Sequence, residues 1–226
     1  MARPLFRQSP LTPVAAEYAR TPVPNGKTPW REARYCVVDL ELSGLDPRTD
    51  EIISFAAVPI DAGRLIVGEA LYALSRPSQP LPEKSVLVHG IRTVDLADAP
   101  PLDEAIQPLL AALTGRVMVA HVATVERSFL APQLRRHGVR LHQPILDTYE
   151  LARLWAFQRH APFSRPTLDD VADGLQLPVH RRHHALGDAL TTAQVFLALA
   201  SHLEEFRSET VRSLGRAHKR VHPYTY

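Results

Sequence analysis

The chain has 226 residues, 45% of them hydrophobic and 22% charged, with a formal net charge of +2. No run approaches the ~20 apolar residues of a membrane span, the N-terminus has no apolar stretch fit for a secretory signal, and the lone Cys36 excludes a disulfide framework or a cysteine zinc site. A soluble, cytoplasmic protein is expected, and its charge is too small for one that holds nucleic acid mainly by coating phosphates.

In chain order, residues 1–32 carry six prolines and no sustained periodicity, which predicts an irregular N-terminal arm. Tyr35–Leu40 is a short apolar, β-branched run of the buried-strand type, and Glu51–Ile60 reads as a second strand. Asp61-Ala62-Gly63 is a hairpin turn into a third strand over Arg64–Ser75. Prolines 77, 80 and 82 mark a loop, Leu102–Leu113 has helical spacing, and Arg116–Ala120 is a short apolar strand. Thr124–His137 is helical in period despite Pro132; Val139–Asp147 gives a last strand. Helices follow near Thr148–Gln158 and Leu168–Leu175, and a strongly apolar one runs from Ala185 to Leu203. Three antiparallel strands followed by alternating strands and helices predict a mixed α/β sheet flanked by helices.

Four acids stand out against this pattern. Asp39 falls near the end of a core strand with Glu41 two residues on, so both side chains face the same way, at the end of the sheet where ligands collect. Asp188 opens the most apolar helix, where a carboxylate needs a partner or a metal, although a helix N-terminal Asp stabilised by the macrodipole is an equal reading. Glu126 lies in the first turn of the helix after the Arg116–Ala120 strand, a commonplace position for Glu. His183, five residues before Asp188, is placed to take a proton at neutral pH. Read singly, the acid pair is equally a solvated loop mouth, Glu126 more simply a first-turn helix residue, and His183 a surface or packing histidine.

Together they resemble the DEDDh branch of 3′→5′ exonucleases, which includes the proofreading subunit of bacterial replicative polymerases and ribonuclease T. The first motif appears as Asp39-Leu40-Glu41-Leu42-Ser43-Gly44-Leu45, an intermediate signature as His89-Gly90-Ile91, and the third motif as His183 with Asp188 and Ala189. The second motif departs from the pattern. His121-Val122-Ala123-Thr124-Val125-Glu126 stands where the family has His-Asn-Ala-x-Phe-Asp, so Val122 replaces an amide and Glu126 an aspartate.

The resemblance runs from about Tyr35 to Leu203 and implies an RNase H-like, five-stranded mixed sheet, with residues 33–204 as the exonuclease domain. Residues 205–226, with Arg207, Arg212, Arg216, Lys219 and Arg220 mixed with acids, are expected to be a basic C-terminal extension, most simply a solvated helical one. It implies two divalent cations, Mg²⁺ or Mn²⁺, on Asp39, Glu41, Glu126 and Asp188, with His183 as general base. Leu42, Ser43, Leu45 and Ile91 would contact the terminal nucleotide. The expected substrates are 3′ ends of single-stranded DNA or RNA, DNA favoured, cut to nucleoside 5′-monophosphates, with a DNA polymerase or other replication or repair protein as partner. A catalytically weakened nucleic-acid-binding or polymerase-associated module of the same fold is the alternative.

Overall fold

The computed structural model describes residues 11–161 and 165–221. Its strands are β1 (Tyr35–Leu42), β2 (Ile52–Asp61), β3 (Arg64–Leu65), β4 (Leu71–Leu74), β5 (Val117–Ala120) and β6 (Ile145–Asp147). They form one six-stranded sheet in the order β3-β2-β1-β5-β6, with β4 also paired to β2. β2 is antiparallel to β1, β3 and β4; β5 is parallel to β1, and β6 to β5. Six strands replace the expected five because the Arg64–Ser75 segment breaks at a 3₁₀ turn, Val67–Glu69. Only the last three residues of Val139–Asp147 pair as a strand, since Pro144 before them has no N–H to give the ladder.

The helices are α1 (Pro13–Arg20), α2 (Glu83–His89), α3 (Leu102–Ala105), α4 (Gln107–Leu113), α5 (Thr124–Arg136), α6 (Thr148–Gln158), α7 (Leu168–Gly174), α8 (Ala185–Glu204), α9 (Val211–Leu214) and α10 (Ala217–Val221). Among the described residues, no helix is long and apolar enough to cross a membrane.

β1 separates two apolar layers. Tyr35 and Val37 pack, with Val58, Val117 and Val119, against the helices α6 to α10. Cys36, Val38 and Leu40 point the other way, toward α1, α4 and α5. This is the two-residue alternation of a strand buried on both faces. Asp39 and Glu41 continue the Tyr35–Val37 series, so the fold aims them at the α8 side before any contact is considered.

Both ends of the chain differ from expectation. Residues 1–10 of the expected irregular arm lie outside the described residues, but the rest is ordered structure. The Thr12 hydroxyl accepts the N–H of Ala15, and Pro13 opens α1 rather than breaking it. Tyr18 and Trp30 are fully buried. The C-terminal segment closes against residues 26–30: Pro29 bridges to Thr210, the Trp30 N–H donates to the Glu209 carbonyl at 3.2 Å, and the Arg212 N–H to the Gly26 carbonyl at 2.8 Å. Val211, Leu214 and Ala217 join the core. The Glu209 side chain, wholly buried, pairs with Arg220 at 2.8 Å and Arg207 at 3.4 Å.

Candidate active site

The β1–β2 ladder holds Asp39 opposite Ala56 and Glu41 opposite Ser54, and its register shifts between Glu41 and Leu42. The ladder is therefore irregular directly after the second acid, and β1 ends one residue later at Leu42. The turn that follows is tied by its own polar groups. The Ser43 N–H donates to the Glu51 carbonyl at 3.0 Å, the Glu51 N–H to the Ser43 hydroxyl at 2.9 Å, and the Asp46 N–H to Asp50 at 2.8 Å. Leu42 is half-buried, and Leu45 stands 80% exposed at the tip.

Asp188 comes from the first turn of α8. Small residues let this helix end settle deep: Ala185, Gly187 and Ala189 are buried. A Cβ on Gly187 would sit 2.0 Å from the Arg181 carbonyl oxygen. The preceding loop is fixed by the His180 N–H donating to the Thr191 hydroxyl at 3.1 Å and by His184 stacking on Tyr72, ring centroids 4.5 Å apart. Asp39, Glu41 and Asp188 can each offer an oxygen within 4.8 Å of the others.

Burial pushes the Asp39 carboxyl well above the usual range, and the charges of Glu126, Asp188 and Glu41 push it further. Glu41 rises to about 7, through burial and then Asp188. Glu126, buried at the start of α5, rises to about 8, chiefly from burial, with the nearby Asp147 adding to it. Asp188 is also raised by burial, against the counter-pull of the His183 backbone N–H and ring. Among the described residues, no basic side chain offsets Asp39 or Glu41, and Glu126 Oε2 is buried without a hydrogen-bond partner. Glu126 lies outside the tight trio but close enough to act on Asp39. An all-oxygen, uncompensated anionic cluster is the donor set a hard divalent cation takes, so these residues fit such an ion.

His183 is exposed, in a left-handed backbone conformation (φ +51°), and beside Asp188. His89 at the end of α2 lies close to it. His89 Nδ1 accepts the Ile91 N–H at 3.0 Å, and its Nε2 is buried without a partner among the described residues; Ile91 is half-buried. Sequence reasoning quoted His89 only as part of a signature.

Asp147 was missed altogether. Its oxygens take the N–H groups of Val122, Ala123 and Tyr149, each at 3.0 Å, and so tie the loop after β5 to the start of α6. The one local signal is an acid at a strand-to-helix boundary, where it caps the helix. His121 Nδ1 lies 2.9 Å from the Thr148 hydroxyl, and burial lowers its ring to about 4, which leaves it a neutral structural group.

Comparison with known proteins places this geometry. A family profile described as exonuclease (RNase_T) matches residues 36–196. A DNA polymerase III subunit epsilon-like protein of Rhodobacter capsulatus is 35% identical over 178 residues, 76% of this chain and 24% of its own. A PolC-type DNA polymerase III of Thermotoga maritima is 34% identical over 74% of this chain and 12% of its own. The chain thus spans a quarter or less of these relatives. DNA polymerase III subunit epsilon of Aquifex aeolicus is 26% identical over 76% of this chain and 83% of its own. Among solved structures, exonuclease X in complex with 5′ overhanging duplex DNA superposes with a TM-score of 0.63 at 21% identity, covering 80% of this chain and 99% of that one. Escherichia coli exonuclease I in complex with a dT13 oligonucleotide gives 0.67 at 14% identity, over 76% and 42%. These two likenesses carry the fold, which is RNase H-like.

Proposed function

Because the chain belongs to the RNase_T exonuclease family, we propose that it is a metal-dependent 3′→5′ exonuclease of the polymerase-proofreading type, acting on single-stranded DNA ends. Residues 33–204 form the catalytic domain in this reading, and a DNA polymerase is the partner that the epsilon and PolC relatives suggest. The observation that carries it is the Asp39–Glu41–Asp188 trio within 4.8 Å, with the unpartnered Glu126 oxygen beside it.

Asp39, Glu41, Glu126 and Asp188 would hold two divalent cations, Mg²⁺ or Mn²⁺, which would supply charge stabilisation at the scissile phosphate and at the leaving 3′ oxygen. His183, solvent-accessible beside Asp188, takes the proton of the attacking water on an imidazole nitrogen. Leu42, Ser43, Leu45 and Ile91 seat the terminal nucleotide. Leu45 offers its exposed side chain to a base face, and Ser43 keeps the turn beneath it in shape. Asp147 holds the loop that leads into Glu126. The products are nucleoside 5′-monophosphates.

The test is digestion of 5′-labelled single-stranded DNA and RNA of matched sequence with Mn²⁺, Mg²⁺ or chelator, beside Asp188→Ala. A metal-dependent ladder shortening from the 3′ end, stronger on DNA and absent in the variant, is expected. An intact label under every condition overturns the reading in favour of a binding module of the same fold.

A further inference from the structure

Away from the carboxylates, Arg127, Arg135 and Arg140 line one cavity of about 260 Å³ with Ala131 and Leu141, and no acidic residue forms part of its wall. The spacing puts Arg127, Ala131 and Arg135 on one face of α5. Ala131 is thus a small floor between two guanidinium groups about 12 Å apart along the helix at 1.5 Å per residue. The chain turns back at Gly138 (φ +74°) and brings Arg140 to the same hollow. Its position is held from α1, since the buried Tyr18 donates its hydroxyl to the Arg140 carbonyl at 3.2 Å.

Among the described residues, none of these three guanidinium groups has a hydrogen-bond or carboxylate partner. Arg48, Arg92, Arg116 and Arg220, by contrast, are each matched to an acid. Three like charges around one hollow repel unless an anion enters it. Arginine forks match phosphate oxygens in pairs, and sites 12 Å apart suit a polyanion better than a single ion. Arg127 directly follows Glu126 and also lines the adjoining cavity of about 440 Å³ with Ala123, Thr124 and Asp147. Asp147 and Glu150 share the wall of that second cavity, so the purely basic hollow starts beyond them, along α5 from Arg127 to Arg135.

We propose that Arg127, Arg135 and Arg140 form a second, sequence-independent binding site for backbone phosphates of the nucleic-acid strand upstream of its 3′ end. The inference rests on the reading of the chain as one that acts on nucleic-acid ends. It explains how a protein of small net charge grips a strand, by concentrating cations around one hollow at the side of α5.

The test measures binding of a fluorescein-labelled dT oligonucleotide of about 12 nucleotides in chelator, across a salt series, to the full chain. The R127A/R135A/R140A variant is compared with an R20A/R64A/R92A control of equal charge loss outside the cavity, and thermal melting checks that both are folded. The cavity variant is expected to bind about tenfold more weakly, and its salt slope to be less steep by about 2, for three phosphate contacts at about 0.7 each. An unchanged affinity and slope, or an equal loss in the control, overturns the proposal. Hydrolysis of the p-nitrophenyl ester of thymidine 5′-monophosphate by the unaltered protein with Mn²⁺ separately reads the exonuclease assignment. That assay can fail while the binding series still decides for or against the phosphate site.

Discussion

Val122 sits at φ +59°, where a branched Cβ collides with the backbone, at the point where Asp147 captures its N–H. Asparagine visits this region with little penalty. Val122→Asn is therefore expected to raise stability by about 1 kcal/mol; a urea midpoint that stays put or falls would refute the strain. The carboxylates give a second prediction at this scale. Folded Glu126 keeps its proton up to about 8, whereas an unfolded Glu loses it near 4.5, and Asp39, Glu41 and Asp188 shift in the same sense. The folded state binds more protons across that window, so the stability of metal-free protein falls as pH rises from about 4.5 to 8, through Glu126 over the whole range and through Glu41 up to about 7. Melting in chelator at pH 5.5 and 8 reads this, and Mn²⁺ should flatten the difference by binding only the folded cluster. A flat profile in chelator would mean the acids are not desolvated. Asp39, Glu41 and Asp188 were legible because strand alternation and an acid in an apolar helix are local patterns. Asp147 and His89 were not, since their partners lie on other segments or are missing.

At the scale of elements, the approach of α8 to its own preceding loop sets where Asp188 stands. With only 2.0 Å between a Gly187 Cβ and the Arg181 oxygen, Gly187→Ala must push the helix start or the loop aside. A loss of about 1–3 kcal/mol is expected, together with a weaker Mn²⁺-induced rise in melting temperature. An unaltered melt and an unaltered metal response would show that the loop yields freely. The apolar runs of α6 and α8 are long enough for periodicity to delimit them, and α6 matches its expected bounds. Short elements are not: α2 has seven residues between prolines and Gly90, and α1 hides behind Pro13. The 3₁₀ turn that splits the expected third strand carries no proline and a single glycine, Gly68, too little for pattern to reveal.

Over the whole molecule, the two end segments hold each other. Glu209 is the buried pin, its carboxylate shared among Arg207, Arg220 and the Ser213 hydroxyl. Removing one member of such a cluster strands the others, so Glu209→Ala is expected to cost about 3–5 kcal/mol in chemical denaturation; a loss below about 1 kcal/mol would place the clasp at the level of a surface ion pair. None of this could be read from the sequence, because a proline-rich stretch and a mixed-charge stretch each look solvated until they are paired across the length of the chain.

The site is likewise assembled from distant parts: Asp39 belongs to the first strand, and Asp188 to a helix that follows every strand of the sheet. A growing polypeptide therefore displays its first two acids long before the third exists, and only when α8 has emerged and docked can the carboxylate cluster close. Synthesis itself thus imposes a delay between the appearance of the first two acids and the completion of the cluster.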